Sequence, residues 1–193
     1  MSVTHRLALL GVLLGLFDGL HPTLDQWAQS STDARLKSLR GAHLVYRDGT
    51  PVGETDHRAG RRTTTASALG RRSVARHVAT YTAGQVAGAV AATRLLGYRI
   101  PGRALVVGAA INAGTHLVID RRDPLLWLAR ATGKGGYVEH CTAARVGPDG
   151  TVRAEISGPG TALLELDQAL HRGIGVVAAV ATTWLATRRG ART

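Results

Sequence analysis

Four apolar stretches, at residues 7–20, 74–96, 104–119 and 169–186, constrain this 193-residue chain more than any other feature. The conspicuous interruptions are Asp18 in the first, His77, Gln85 and Arg94 in the second, and Asn112, Thr115 and His116 in the third. The fourth opens on His171 and Arg172. A spanning helix needs about 20 apolar residues, so each stretch is short or impure when judged alone. Their joint occurrence in one small chain is the membrane signal. The second stretch is rich in Ala and Gly, which permits close helix packing in lipid. The competing reading is a soluble bundle of unusually apolar helices. The predicted fold is all-α, a single membrane domain built as a four-transmembrane-helix bundle. Its helices are expected at about residues 6–29, 74–96, 103–120 and 166–187. Arg6 ahead of an apolar core also resembles a signal peptide. No small-x-small cleavage site follows, and Asp18 and His21 come directly after, so an uncleaved first helix is expected.

Two polar connections complete the layout. Residues 43–54 read as a β-hairpin turning at Asp48-Gly49, and residues 144–157 as a second turning at Asp149-Gly150. Pro101-Gly102 forces a short turn between the second and third helices. With four spans, both hairpin-bearing connections fall on one side and can meet in a small cap. They carry nine and six basic residues, against one, three and three in the N-terminal tail, the short loop and the C-terminal tail. The positive-inside tendency therefore puts the long connections in the cytoplasm of a multi-pass cell-membrane protein, with both termini outside.

Composition matters here for what it removes. A mean hydropathy of +0.02 suits a soluble protein only if apolar residues are spread evenly, and they are not. The net charge is +11, but 22 of the 24 basic residues are Arg, in a chain also rich in Ala and Gly. That skew is the mark of a GC-rich genome. A nucleic-acid binder gathers its charge on one face around a reading element, and no zinc finger, basic zipper or RNA-recognition signature is present. A basic nucleic-acid-binding regulator is thus the least favoured reading. The single cysteine, Cys141, excludes a disulfide framework and a four-cysteine zinc module. There is no His-Glu-x-x-His, no P-loop and no Gly-x-Ser-x-Gly elbow. Asp56-His57 reverses the His-Asp dipeptide of soluble phosphohydrolases.

The chemistry lies in polar residues four apart, which sit one turn apart on one helix face. His21, Asp25 and Gln29 form such a stripe, as do His77, Tyr81 and Gln85. Asn112, His116 and Asp120 form a third, and Asp167 with His171 a fourth, Gln168 lying beside them. In an alternating bundle these positions meet at one end, which the charge bias makes cytoplasmic. Ionisable groups in lipid are costly unless they pair or bind an ion. His21, Asp25, His116, Asp120, Asp167 and His171 are the candidate metal ligands, and Gln29, His77, Tyr81, Asn112 and Gln168 the candidate orienting partners. Zinc or manganese is the expected divalent ion. A bound ion makes metal-dependent hydrolysis of a lipid or phosphoester feasible. The alternatives are hydrogen bonds that merely join helices, and a non-catalytic adaptor docking a cytoplasmic protein or anionic lipid.

At these motifs the chain resembles a family of uncharacterised bacterial multi-pass membrane proteins, domain of unknown function 3307. The resemblance is carried by His21-x3-Asp25-x3-Gln29, His77, His116-x3-Asp120 and Asp167-Gln168-x2-His171, and spans most of the chain. It implies membrane location and an intramembrane polar cluster. The Arg-rich insert after the first helix and the hairpin before Asp167 depart from the compact family core. The same motifs are distantly similar to membrane-bound proteins labelled metal-dependent hydrolases, a likeness that transfers no substrate.

Overall fold

The computed structural model describes residues 2–53, 58, 60–147 and 149–188. Glu54 at the end of the first predicted hairpin, the Asp56-His57 dipeptide and Pro148 lie outside the described residues. The described chain is mostly helical. Its order is α1 (Val3–Pro22), a π-helical turn (Thr23–Trp27), α2 (Ser31–Leu36), β1 (Leu44–Tyr46), β2 (Thr63–Thr65), α3 (Ala66–Leu95) and α4 (Gly102–Ile119). Then come α5 (Asp123–Ala131), α6 (Gly135–His140), β3 (Ala143–Val146), β4 (Val152–Glu155) and α7 (Ala162–Thr187).

Side-chain caps start three of the four long helices, α1, α3 and α7. Ser2, Thr65 and Thr161 accept from the amides of His5, Ala68 and Leu164, satisfying donors that a helix N-terminus leaves free. Proline inside a helix removes one ladder donor and crowds the preceding turn. Pro22 sits at that point in α1, and the next turn widens to π geometry, with the Ala28 amide bonded to the Thr23 carbonyl at 2.9 Å. At the other end Gly97, in the left-handed region at φ 77°, reverses the chain after α3, and Pro101 leads into α4.

The four long helices pack in a ring, α1 against α3 and α7, α4 against α3 and α7. Small residues allow the close approaches. A Cβ on Gly108 of α4 would lie 2.0 Å from the Thr182 hydroxyl of α7, and one on Gly88 of α3 2.5 Å from Leu20 of α1. An apolar core of Leu9, Leu13, Phe17, Ala89, Ala178 and Ala179 fills one part of the ring. Elsewhere its interior is polar: His21, Asp25, His77, Gln85, Asn112, His116, Asp120 and His171 are all buried. Outward the pattern inverts, with Leu95, Val106, Val118, Val177 and Val180 exposed.

Three helical segments are long and apolar enough to cross a membrane: Val3–Trp27, Gly102–Ile119 and Ala162–Thr187. Only 22%, 28% and 28% of their most apolar windows are buried inside the fold. Large contiguous apolar surface on a water-soluble monomer is rare, so these faces await lipid or another apolar partner. The longest helix, α3, is not in this set. Its first turns carry Arg71, Arg72 and Arg76, and its remainder mixes Ala and Gly with Thr, Tyr and Gln.

The connections hold more structure than the sequence predicts, since α2, α5 and α6 are additional short helices. The segment at 43–54 also differs. It turns at Asp48-Gly49, where the Gly49 amide bonds the Tyr46 carbonyl at 2.9 Å. The Tyr46 and Val52 amides bond the Thr50 and Leu44 carbonyls at 2.9 and 3.0 Å, a short pairing with a single bridge, Val45 to Pro51, among the described residues. The regular partner of β1 is instead the β-branched run Thr63–Thr65, antiparallel with Val45 opposite Thr64. Val45 and Tyr46 are buried, and Val45 joins Leu36, Ala66 and Leu69 in a small core at the start of α3. This segment is therefore part of the fold and not a free arm. The second pair, β3 with β4, is an exposed hairpin.

Candidate metal centre

The buried polar residues converge where α1, α3, α4 and α7 meet. His77 on α3 and His116 on α4 bring their Nε2 atoms to 3.0 Å. Asp25, from the π-helical turn, places Oδ1 3.1 Å from His77 Nε2 and 3.4 Å from His116 Nε2. In tetrahedral zinc sites bonds of 2.0–2.1 Å separate neighbouring ligand atoms by about 3.3 Å. The three atoms thus have the spacing of one face of such a polyhedron. Asp120, capping the end of α4, adds a second triangle on the same edge. Its Oδ2 is 3.3 Å from His77 Nε2 and 3.4 Å from His116 Nε2.

Proton bookkeeping makes this donor set informative. Ionised carboxylates only accept, and each neutral imidazole nitrogen pair offers one donor and one acceptor. Two imidazole nitrogens 3.0 Å apart share at most one proton between them, yet two carboxylate oxygens crowd the same point. A cation held by Asp25, His77 and His116 would take up three of these lone pairs. His171 repeats the pattern: Nδ1 donates to the Asp167 carbonyl at 2.8 Å, which leaves Nε2 as a lone pair. That Nε2 is buried without a hydrogen-bond partner, 3.7 Å from Asp120 Oδ1. Among the described residues two groups could hold an ion, Asp25/His77/His116 and His116/Asp120/His171. They share His116, whose Nε2 has one lone pair to give.

A chain of hydrogen bonds aims at Asp25 from behind. Gln85 Nε2 donates to the Tyr81 hydroxyl at 3.1 Å, and that hydroxyl lies 3.0 Å from His21 Nδ1. His21 Nε2 is 3.0 Å from Gln168 Oε1, which can only accept, so Nε2 carries the proton. The Gln168 amide then donates to Asp25 Oδ2 at 2.8 Å. For a neutral His21 ring every bond in this relay points the same way, toward the carboxylate. Such outer partners orient metal ligands and raise their basicity.

The structure therefore sorts the sequence candidates. It brings together Asp25, His116, Asp120 and His171, and adds His77, which local spacing marks as an orienting partner. His21 sits farther out, 4.0 Å from Asp25 Oδ2 with both ring nitrogens engaged. Asp167 supports His171, its carboxylate 3.5 Å from Nδ1. Tyr81 and Gln168 belong to the relay. Asn112 is buried one turn before His116, beside a small cavity shared with Gln85 and Thr182. Gln29 lies on a cleft outside the cluster, its Nε2 without a partner.

Lys37 was missed. Its Nζ bonds Asp120 Oδ2 at 3.0 Å and neutralises that carboxylate from the first long connection. The available signal was its rarity, since it is one of only two lysines in an Arg-rich chain. Lys37 also lines a cleft of about 610 Å³ that reaches Asp25 and Asp120 and draws its walls from both long connections. Arg122, another wall residue, has a partnerless buried Nε and φ 68°, the one positive φ outside glycine among the described residues.

No family model, characterised protein or solved structure matches this chain.

Proposed function

We propose that this chain is a four-span membrane protein holding a divalent ion at Asp25, His77 and His116, and that it hydrolyses an anionic ester at the cytoplasmic face. The observation carrying this reading is the triangle of ligand atoms at 3.0, 3.1 and 3.4 Å, backed by a donor relay ending on Asp25. Three protein ligands with one position open is the pattern of catalytic rather than structural zinc sites. Zinc suits the mixed imidazole and carboxylate donors. Membrane placement is supported by the inverted surface and by three helices of spanning length. Helix α3 serves as the fourth span beyond Arg76, where His77, Tyr81 and Gln85 turn inward and Ala79, Ala83, Ala87 and Ala91 face outward. The motif resemblance to the domain of unknown function 3307 family belongs to the same proposal.

An ion at this place supplies Lewis acidity and a nucleophile at neutral pH. The protein supplies the rest. Asp120, held by Lys37, would be the carboxylate to take a proton from a water beside the ion. Gln29 Nε2 and Arg122 Nε are buried donors without partners on the cleft wall, and with Lys37 they suit a substrate oxyanion. Manganese in place of zinc leaves these roles unchanged.

The test is turnover of a chromogenic phosphoester by detergent-purified protein. Activity is expected with zinc or manganese, and is lost on chelation or in Asp120→Asn. Metal-loaded protein inert toward phosphoesters and carboxylic esters alike would refute the catalytic reading.

A further inference from the structure

A second groove, of about 620 Å³, opens between the first turns of α3 and the end of α4, and none of the metal-centre residues lines it. Ser67, Arg71 and Val74 lie at i, i+4 and i+7 on α3 and so share a face. Leu117 and Arg121 face them from α4 and the residues just after it, and Arg40 reaches in from the first connection.

Three guanidiniums meet in this groove. Arg121 is built in: it donates to the carbonyls of Lys37 and Leu39, each at 2.8 Å. Gly70 makes room for it, since a Cβ there would lie 2.3 Å from Arg121 Nη1. Arg40 donates to the Arg121 carbonyl and pairs with Asp123, yet its Nε is buried without a partner. Arg71 makes no hydrogen bond or ion pair among the described residues. The charge is out of balance, three guanidiniums against the one carboxylate of Asp123. The Ser67 hydroxyl accepts from the Gly41 amide at 3.0 Å, leaving its own proton to donate. Beyond the charges the groove turns apolar, with exposed Leu117 over buried Val74.

We propose that this groove binds the phosphate of an anionic phospholipid, with Arg40, Arg71 and Arg121 on the headgroup and an acyl chain along Val74 and Leu117. Guanidiniums recognise phosphate through paired N–H donors, and basic pockets between membrane helices bind acidic headgroups. An anion without a tail would use the same guanidiniums but leave the Val74–Leu117 wall bare. The assignment rests on the membrane placement proposed above and is independent of the metal.

The full chain is reconstituted into phosphatidylcholine nanodiscs containing a minority of phosphatidylglycerol, and native mass spectrometry reads the lipid retained. The expected result is enrichment of phosphatidylglycerol over phosphatidylcholine. That enrichment falls about fivefold in Arg71→Gln, further in Arg40→Gln/Arg71→Gln, and not in Arg72→Gln. Arg71 bonds to nothing in the described fold, so helicity by circular dichroism is unchanged in its variant. Wild-type enrichment in Arg71→Gln overturns the site. Displacement by inorganic phosphate as effective as by phosphatidylglycerol overturns the lipid assignment. A chain that does not enter the nanodisc overturns the membrane placement and this site with it.

Discussion

Replacing Gln168 by Leu separates a metal-supporting relay from simple helix contacts. The side chain keeps its approximate volume, and all five residues of the two ligand groups remain. What disappears is the 2.8 Å donor to Asp25 Oδ2 and the 3.0 Å acceptor for His21 Nε2. A hydrogen bond to a charged group contributes roughly 1.5–3 kcal/mol, which corresponds to about 10- to 150-fold in an equilibrium constant. Loss of outer partners in metal sites weakens affinity by about 10- to 100-fold. The two estimates agree, so zinc affinity is expected to fall by one to two orders of magnitude. The assay is competition for zinc against a chromophoric chelator, using detergent-solubilised protein with Tyr81→Phe as a second break in the relay. If Gln168→Leu lowers thermal stability while zinc affinity stays within about twofold of wild type, well below the roughly 10- to 100-fold typical of outer partners, the relay only joins helices.

Other consequences follow from the packing and the charges. Gly108→Leu drives a side chain into Thr182 and the α7 backbone, and overpacking of this kind costs about 1–3 kcal/mol; a lowered melting temperature in detergent checks it. Burial opposes ionisation of Asp33, but its bonds from Arg76 and Ser30 outweigh burial and lower its pKa. Because the folded pKa is the lower one, Asp33 stabilises the fold above its unfolded pKa of about 3.9, and this is lost as pH falls through the folded value. Asp33→Asn should therefore flatten the acid limb of stability, measured by pH-dependent melting. The apolar outer faces predict that the chain stays in the membrane fraction after high-salt and alkaline washes, and is released by detergent; release by salt alone would contradict the membrane placement.

Much of this arrangement is legible from spacing. His116 and Asp120 lie on one face of one helix, and the reversal at Gly97–Pro101 brings α3 and α4 together, so a shared polar end follows. Local spacing misleads where partners lie on different helices. His77 has no carboxylate a turn away, and its partners, Asp25 and Asp120, come from α1's extension and α4. His21-x3-Asp25 has the look of a chelating pair, but the π-helical turn after Pro22 intervenes and Asp25 faces His77 instead. Lys37 was hidden for another reason, since nothing in a polar connection shows which segment folds back onto α4. The regular partner of β1 is equally out of reach, because Thr63–Thr65 lies beyond the range of turn chemistry.

The central claim is that the buried His/Asp cluster is a metal centre, and elemental analysis tests it most directly. Protein purified in detergent without chelators should carry about one zinc or manganese per chain, the occupancy of a three-ligand site with one open position. His77→Ala and His116→Ala should lose it while remaining helical. A wild-type protein free of divalent metal, or one whose metal content survives both substitutions, would contradict the account.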